Sequence, residues 1–293
     1  MDQSNRHRVI EFARRVLGDE RVDLILNAPF NDLGFGYDQF GMERESILLG
    51  YLLARPLYQS WFRAESTGHE NLPARGRAMV VPNHSGVLPI DGLLIYIDIM
   101  EKAPNPRLMR GIIEKVFSGI PSVGTFMQRC GQVTGTRYNF EQLLESEELV
   151  TVFPEGAKGP GKPFSDRYKL VNFNVGFVEL AIRHKTPIIP TSVIGGEEQY
   201  PALVNIKPLA KALGVPYFPI TPQMLLLPLP LWGLPLPTKY RIRYGAPIEL
   251  HREYPEHATE DPELMRRIAR EIQDTVQEMV NEDLAGRESV WFG

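Results

Sequence analysis

The sequence predicts an α/β fold in which a largely parallel central sheet is flanked by helices. From residue 67 onward, apolar runs of strand type alternate with helical segments, which is the pattern of parallel strands joined by crossovers. Two of these runs, residues 78–82 and 149–153, lead directly into polar clusters that contain His84 and Glu155. Ligands of open α/β sheets bind beyond the carboxyl ends of the strands, so we expect both clusters to share one site.

Size and composition favour one α/β domain, residues 67–293, preceded by a helical extension, residues 1–66. The formal net charge of -4 argues against a nucleic-acid partner. Cys130 is the single cysteine, which excludes an intramolecular disulfide and a multi-cysteine metal site. Residues 1–9 lack the apolar core of a signal peptide, so we expect a protein of the reducing, cytoplasmic side.

The extension is predicted to be helical and irregular. Apolar residues recur at helical spacing over residues 9–17, and a loop rich in Asn, Asp, Gly and Pro is expected over residues 27–40. The apolar run at 47–54 is interrupted at Arg55 and is too short for a spanning helix, because about 20 apolar residues are needed. Two interpretations remain open for it: a helix packed on the domain, or a helix that lies on a membrane surface.

The domain that follows has elements that can be placed by their patterns. A turn region with Gly68, Pro73 and Gly76 precedes the first strand. The last helix has the clearest signals, because Asp261 and Pro262 suit the N-cap and first helical positions and an apolar stripe follows. The predicted strands are residues 78–82, 107–113, 149–153, 188–194 and 240–244, and the predicted helices are 91–100, 139–147, 173–183 and one that begins after 261.

His84 and Asp91 are the candidate acid/base pair. An Asp that accepts a hydrogen bond from one imidazole nitrogen leaves the other nitrogen free to take a proton. A continuous helix between the two residues would separate them by about 10.5 Å, which is too far for contact. We therefore expect residues 85–88 to fold back as a loop, with the helix starting near Pro89.

The sequence resembles a family, the PlsC-like glycerolipid acyltransferases related to bacterial 1-acylglycerol-3-phosphate acyltransferase. The family's His-x4-Asp motif is similar to His84 and Asp91, with two extra residues between them. Its second motif resembles residues 124–129 (GTFMQR), its third is present as 153–156 (FPEG), and its fourth resembles 187–190 (PIIP). The motifs follow in the family's order over residues 68–245, although the third continues with Ala-Lys where the family has a pair such as Thr-Arg.

The resemblance implies roles for residues in these motifs. His84 would act as the general base with Asp91 as its partner, and Asp98 is a more remote candidate for the acid. Phe126 and Arg129 of the second motif would contact the substrate, with the guanidinium suited to a phosphate group. Further candidate substrate-binding residues follow the third strand run: Glu155, Gly156 and Lys158, with Lys162 as another available cation.

Other chemistries fit the sequence less well. Residues 156–162 match the Gly-x4-Gly-Lys frame of a phosphate-binding loop, but Pro163 stands where Ser or Thr should hold magnesium. A serine hydrolase is disfavoured because no Gly-x-Ser-x-Gly elbow occurs, and Ser122 has the wrong spacing from Gly119. Cys130 lacks the signature of a thiol nucleophile.

The resemblance implies transfer of an acyl group from acyl-CoA or acyl carrier protein to the hydroxyl of a lysophospholipid. No metal, no cofactor and no covalent enzyme intermediate are expected. Backbone amides near Gly156, or around Val87, are candidates for stabilising the oxyanion. A non-phosphorylated acceptor such as mono- or diacylglycerol, and a lipid-binding protein without activity, are the alternatives.

A proline-rich stretch, residues 212–238, carries no charged residue. Its prolines exclude a spanning helix, because each removes a backbone donor that hydrocarbon cannot replace. We expect residues 225–232, together with 47–62, to form an apolar patch that docks the protein peripherally on the cytoplasmic side of the inner membrane. The alternative is that the stretch packs over the sheet as ordinary core.

Overall fold

A computed structural model describes residues 3–86, 88–214 and 217–293, with the side chains described from residue 6 onward. The strands are β1 Glu65–Thr67, β2 Ala78–Pro82, β3 Met109–Ile113, β4 Gln132–Thr134, β5 Leu149–Thr151, β6 Ile188–Ile194, β7 Val204–Asn205, β8 Pro219–Ile220 and β9 Arg241–Tyr244. The α-helices are α1 Gln3–Leu17, α2 Asp19–Asn27, α3 Arg44–Pro56, α4 Ile90–Lys102, α5 Lys115–Ser118, α6 Val123–Arg129, α7 Arg137–Glu145, α8 Gly176–Arg183, α9 Gly196–Gln199, α10 Lys207–Leu213, α11 Pro222–Leu226 and α12 Pro262–Ala285.

Seven strands form the central sheet in the order β1-β9-β6-β2-β5-β3-β4. Every neighbouring pair in it is parallel except β6 and β9, which run antiparallel. The predicted α/β class with a largely parallel sheet flanked by helices is therefore confirmed. Strands β2 and β5 are neighbours, so the segments that follow them leave the sheet at the same edge.

The sheet is buried on both faces, and β2 shows how its sequence achieves this. Ala78 and Val80 face a core shared with α3 and α4, whereas Met79 and Val81 face a second core shared with α7, α8 and α12. Successive side chains of a strand point to opposite faces, so a strand covered on both sides must be apolar throughout. All five residues of β2 are buried accordingly.

The N-terminal helices pack on the same face of the sheet as α4. Ile47, Leu48 and Tyr51 of α3 are buried, and the chain continues from α3 into a π-helix, Leu57–Trp61. Most of the apolar run at 47–62 thus packs on the domain, although Leu53 remains 63% exposed. No helix in the described part of the chain is long and apolar enough to cross a bilayer. The division of the chain at residues 66 and 67 stays a prediction.

Most predicted elements occur with shifted ends, and α12 shows the strongest local control. The Asp261 carboxylate accepts hydrogen bonds from the backbone amides of Glu263 and Leu264 at 2.9 and 3.1 Å, so the predicted N-cap is confirmed. The short elements β1, β4, α5 and α6 were not predicted, because they are too brief to show a hydrophobic period. The third predicted strand was too long at its end, because it stops at Thr151 and leaves Phe153 outside the sheet.

Candidate active site

The loop after β2 carries His84 back towards the start of α4. As expected, residues 85 and 86 and 88 and 89 lie outside regular structure, and α4 begins at Ile90. Gly86 adopts a φ of 80° that favours glycine, and a Cβ there would overlap the side-chain amide of Gln199. The tight turn at Gly86 therefore allows residues 84 and 91 to meet.

The His84 ring forms a direct contact with the Asp91 carboxylate. Nδ1 of His84 lies 2.7 Å from Oδ2 of Asp91, and the same oxygen accepts the backbone N–H of Ser85 at 2.9 Å. The other oxygen, Oδ1, accepts the backbone N–H of Gly92 at 2.8 Å. Asp91 is fully buried, so these bonds hold its carboxylate in place. Because Nδ1 is engaged, Nε2 is the nitrogen available for proton transfer.

The surroundings of the His84 ring favour its charged form. Burial opposes the charge, but the Asp91 carboxylate, its hydrogen bond and the charges of Glu155 and Glu197 outweigh burial and raise the pKa of His84. The Phe153 ring lies at 4.2 Å between ring centroids and packs against the imidazole. The ring is thus held by contacts on two sides.

Glu155 supports the His84 loop from the neighbouring strand. Its Oε1 accepts the backbone N–H of His84 at 2.8 Å, and its Oε2 accepts the backbone N–H of Val171 at 2.9 Å. The side chain is 1% exposed and does not line the cavity described below. Burial raises the pKa of Glu155, although Lys162 and the two amide bonds oppose that shift. Its contacts are those of a residue that shapes the site, and a substrate contact remains only a prediction.

Lys162, which the sequence offered as an available cation, is buried between two carboxylates. Its Nζ lies 2.8 Å from Oε1 of Glu197 and 3.9 Å from Oε2 of Glu155. Burial raises the pKa of Glu197, with the Lys162 charge as the main opposing influence. This ion cluster links α9, the segment after β5 and the His84 loop.

A largely apolar cavity of about 450 Å³ opens beside His84. It extends between α3, α4, β3 and α6, so it is built from elements far apart in the sequence. Phe126 and Gly156 line it, as do Phe153 and Ala157. Other lining residues from the four elements include Ile47, Gly50, Leu53, Ala54, Gly92, Leu93, Tyr96, Met109, Gly111, Ile112, Ile113, Met127 and Cys130.

The structure does not bring all the predicted binding residues to this cavity. Arg129 ends α6, and its Nη1 lies 3.7 Å from Oε1 of Glu43. Lys158 follows the lining residue Ala157 but is exposed to solvent. In the described part of the chain, the residues that line the cavity include neither lysine nor arginine. Roles of Arg129 and Lys158 in binding phosphate therefore stay predictions.

Comparisons with known proteins point to an acyltransferase. A family profile described as acyltransferase matches residues 63–194. An uncharacterized protein of Mycobacterium tuberculosis is 40% identical over 266 residues, which cover 88% of this chain and 72% of that protein. An uncharacterized protein of Mycobacterium leprae is likewise 40% identical, over 262 residues that cover 87% and 70% of the two chains.

The chain belongs to the acyltransferase family, and its fold is PlsC-like. The crystal structure of the 1-acyl-sn-glycerophosphate acyltransferase PlsC from Thermotoga maritima has the same fold, with a TM-score of 0.52 at 16% identity, and the match covers 99% of this chain and 100% of that one. A Bos taurus protein named as a DGAT1/2-independent enzyme synthesizing storage lipids is 28% identical over 131 residues, 44% of this chain and 38% of that protein.

Of the two aspartates considered for this acyltransferase, Asp91 is the one that contacts His84. Asp98, the alternative, is buried further along α4. Its carboxylate accepts hydrogen bonds from the hydroxyls of Tyr58 and Tyr244 at 2.6 and 2.8 Å, and it lies 2.9 Å from Nε2 of His69. The side-chain hydroxyl of Ser66 contacts it as well. Asp98 therefore joins the first strand region and β9 to α4, and it does not contact His84.

The candidate oxyanion donors differ from the expectation for this acyltransferase. The Gly156 amide already donates to the Phe153 carbonyl at 3.0 Å, so it is engaged in the turn. Val87, the other candidate, lies outside the described residues. Burial raises the pKa of Cys130 to about 12, so this cavity-lining thiol stays protonated at neutral pH and is a poor nucleophile.

The sequence did not predict two features of the site in this acyltransferase. These are the ion pair of Glu197 with Lys162 and the packing of the Phe153 ring against His84. Glu197 follows directly after β6, at the same sheet edge as His84 and Glu155. The rule that parallel strands deliver their following residues to one edge could have identified it. The apolar cavity gave no local signal, because it arises between helices that are distant in sequence.

Proposed function

We propose that this enzyme transfers a fatty acyl group from an acyl thioester to a hydroxyl of a glycerolipid. The observation that carries the proposal is the His84–Asp91 pair, at 2.7 Å, beside an apolar cavity of about 450 Å³. A general base at the end of a cavity suited to a hydrocarbon chain matches the two needs of acyl transfer to a lipid alcohol.

In this mechanism Nε2 of His84 takes the proton of the acceptor hydroxyl as its oxygen attacks the thioester carbonyl carbon. The carbon–sulfur bond then breaks, and the imidazolium returns the proton to the departing thiolate. Asp91 keeps the imidazole in the required tautomer and stabilises its charged form, as the raised pKa of His84 reflects. The acyl donor is acyl-CoA or acyl carrier protein, and the proposal needs neither a metal nor a cofactor.

The first candidate acceptor is a lysophospholipid resembling 1-acylglycerol-3-phosphate. The PlsC enzyme that has the same fold is named as an acyltransferase for that substrate class. On this proposal the phosphate lies outside the apolar cavity. Lys158 is then the nearest candidate ligand in sequence, since it directly follows the lining residue Ala157 and is exposed. Arg129 is the second candidate, although it now faces Glu43.

A non-phosphorylated acceptor, such as mono- or diacylglycerol, is the second candidate. The specific observation in its favour is that neither lysine nor arginine is found among the described residues lining the cavity. The name of the partial Bos taurus relative, which refers to storage lipids, points the same way. In both cases we propose that the enzyme works peripherally at the cytoplasmic side of the inner membrane, where a lipid acceptor is found.

The test is an assay with labelled acyl-CoA, or acyl carrier protein loaded with the same chain, and one acceptor at a time. Product from lysophosphatidic acid, and a larger loss with that acceptor than with monoacylglycerol for Lys158→Ala, would support the first candidate. Product from monoacylglycerol alone would establish the second. No product with any glycerolipid acceptor, from folded protein that still binds acyl-CoA, would reject acyl transfer and favour a lipid-binding protein.

A further inference from the structure

The name proline-rich segment is used here for residues 201–238, which include the uncharged stretch 212–238 and are described except for residues 215 and 216. The segment lies beyond residues 63–194, the part of the chain that the acyltransferase profile matches. Strand β7 pairs antiparallel with β8, and the two strands precede α10 and α11 directly. Hydrogen bonds attach the segment to the rest of the protein. Trp61 Nε1 donates to the Pro235 carbonyl at 3.1 Å, and the Gln223 side chain donates to the Gln199 carbonyl at 2.8 Å.

The outer side of this segment is apolar and exposed. Leu226 of α11 is 81% exposed and Leu229, three residues later, is 68% exposed. Leu209 and Leu213 of α10, whose only buried residue is Ala210, are exposed too. The indole N–H of Trp232 is instead half-buried and donates to the Leu227 carbonyl. Soluble monomers rarely display so many large apolar side chains together, so we expect this surface to bind a partner.

Charge indicates what the occupant is. Between residues 201 and 238 the sequence contains no aspartate or glutamate, and Lys207 and Lys211 are its only charged residues. They lie one turn apart on α10, both are exposed, and in the described part of the chain neither has an acidic partner. In a protein of net charge -4, a segment of exposed leucines with only positive charges is locally complementary to an anionic, greasy surface.

The segment also borders the entrance of the cavity. Tyr217, which precedes β8, lines the cavity together with Leu53 and Leu93, and both of these leucines are exposed to solvent. The side-chain amide of Asn205 donates to the Gly161 carbonyl at 2.9 Å, which holds β7 against the loop after the FPEG turn. The segment therefore contributes to the wall of the cavity that a lipid chain would enter.

We propose that the proline-rich segment docks the enzyme on a bilayer containing anionic phospholipid, with its leucines in the interface and Lys207 and Lys211 at the headgroups. This inference rests on the proposed function only in that a lipid substrate would then pass from the bilayer into the cavity. Leu53 is the contribution of the 47–62 region to this surface, since most of that region packs inside the protein.

The test is co-sedimentation of the full chain with vesicles of phosphatidylcholine, with and without phosphatidylglycerol. We expect tighter binding to the anionic vesicles. Lys207→Glu with Lys211→Glu should weaken that binding on the order of tenfold, because each basic residue near an anionic surface contributes. Leu226→Ser with Leu229→Ser should weaken binding to both vesicle types by a similar factor, because less apolar area enters the interface.

Matched controls come from the opposite edge of the sheet. Arg75→Glu with Lys185→Glu reverses the same number of charges at residues that precede β2 and β6, and Leu33→Ser removes an exposed leucine from the loop after α2. These variants should bind vesicles as the wild type does. Equal weakening by the control charge pair would mean that only net charge matters, and unchanged binding of both segment variants would place the docking surface elsewhere; either result overturns the proposal.

Activity separates this proposal from the proposed function. The segment variants should retain wild-type activity on a short-chain acceptor dissolved below its critical micelle concentration and lose it on acceptor embedded in vesicles. A wild type that binds anionic vesicles but acylates neither acceptor would reject the function and leave docking intact. If the lysine variants bind vesicles normally but lose activity only with acyl carrier protein as donor, the segment binds that acidic protein and the docking proposal fails.

Discussion

The carboxylate of Glu155 accepts the backbone N–H of His84 at 2.8 Å, across 71 residues of chain. A residue of the FPEG turn therefore fixes the main chain of the candidate base, while Asp91 fixes its ring. Glu155 follows β5 and Asp91 lies at the start of α4, so residues far apart in the chain hold the backbone and the ring of His84.

Replacement of His84 should remove activity without unfolding the protein. We expect His84→Ala to lower kcat by at least about a hundredfold, which is typical for loss of a general base. The melting temperature and circular dichroism spectrum should change little. His7→Ala, an exposed histidine of α1, is the matched control. Turnover by His84→Ala near the wild-type rate would exclude the mechanism.

Asp91→Asn should both slow the reaction and shift its pH dependence. His84 must be neutral to accept a proton, so kcat/KM rises with pH through the His84 pKa, which lies above its ordinary value of 6.5 in the wild type. The Asp91 charge is the main influence that raises this pKa, and the asparagine removes it. The acid limb of the kcat/KM profile should therefore move to lower pH, while the plateau falls because the tautomer is less well held. A limb that stays in place would show that another group titrates.

Glu155 should behave as a positioning residue. Glu155→Ala leaves the backbone amides of His84 and Val171 without their acceptor, while Lys162 keeps Glu197 as its partner at 2.8 Å. Leaving a buried donor unsatisfied costs about 1–3 kcal/mol. Glu155→Gln keeps an acceptor oxygen, so it should retain more stability and more activity than Ala. Thermal unfolding and separate kcat and KM values would check this. A large rise in KM for acceptor with unchanged stability would instead indicate a substrate contact.

Lys162→Met should make the stability of the protein depend more strongly on pH than it does in the wild type. Burial already raises the pKa values of the Glu155 and Glu197 carboxyls, and loss of the Lys162 ammonium would raise these pKa values further. Such groups are protonated in the folded state where the unfolded chain has begun to ionise. The variant should therefore be close to the wild type in stability below the ordinary carboxyl pKa of 4.5 and lose stability progressively as pH rises. Lys169→Met, at an exposed lysine, should show no such trend in melting temperature.

Gly50 should control how much hydrocarbon the cavity accepts. A Cβ at Gly50 would lie 3.0 Å from Sγ of Cys130 and 3.8 Å from the Phe126 ring, both of which line the cavity. We expect Gly50→Leu to lower kcat/KM for long acyl donors more than for short ones, because the new side chain occupies part of the space. Gly176→Leu, where a Cβ meets nothing within 4 Å, is the control. Equal losses for all chain lengths would place the acyl chain elsewhere.

Local patterns in the sequence were sufficient to predict several features. The apolar runs of β2 and β6 indicated strands covered on both faces, the Asp261 cap indicated the start of α12, and the distance argument required a loop between His84 and Asp91. These features depend on residues that are close in the chain or on a period that repeats along it. For the same reason the motif order was enough to indicate the family.

The tertiary structure alone decided which distant groups meet. It paired Lys162 with Glu197, turned Arg129 towards Glu43, packed most of α3 inside the protein and left the leucines of α11 exposed. Each outcome depends on the crossing of helices and loops over the sheet, which no spacing within one segment encodes. The sequence by itself determined the strands and the local acid/base motif, because hydrophobic period and short-range sterics act within a segment. The cavity, the ion cluster behind it and the exposed apolar surface arise only when segments far apart in the chain pack together.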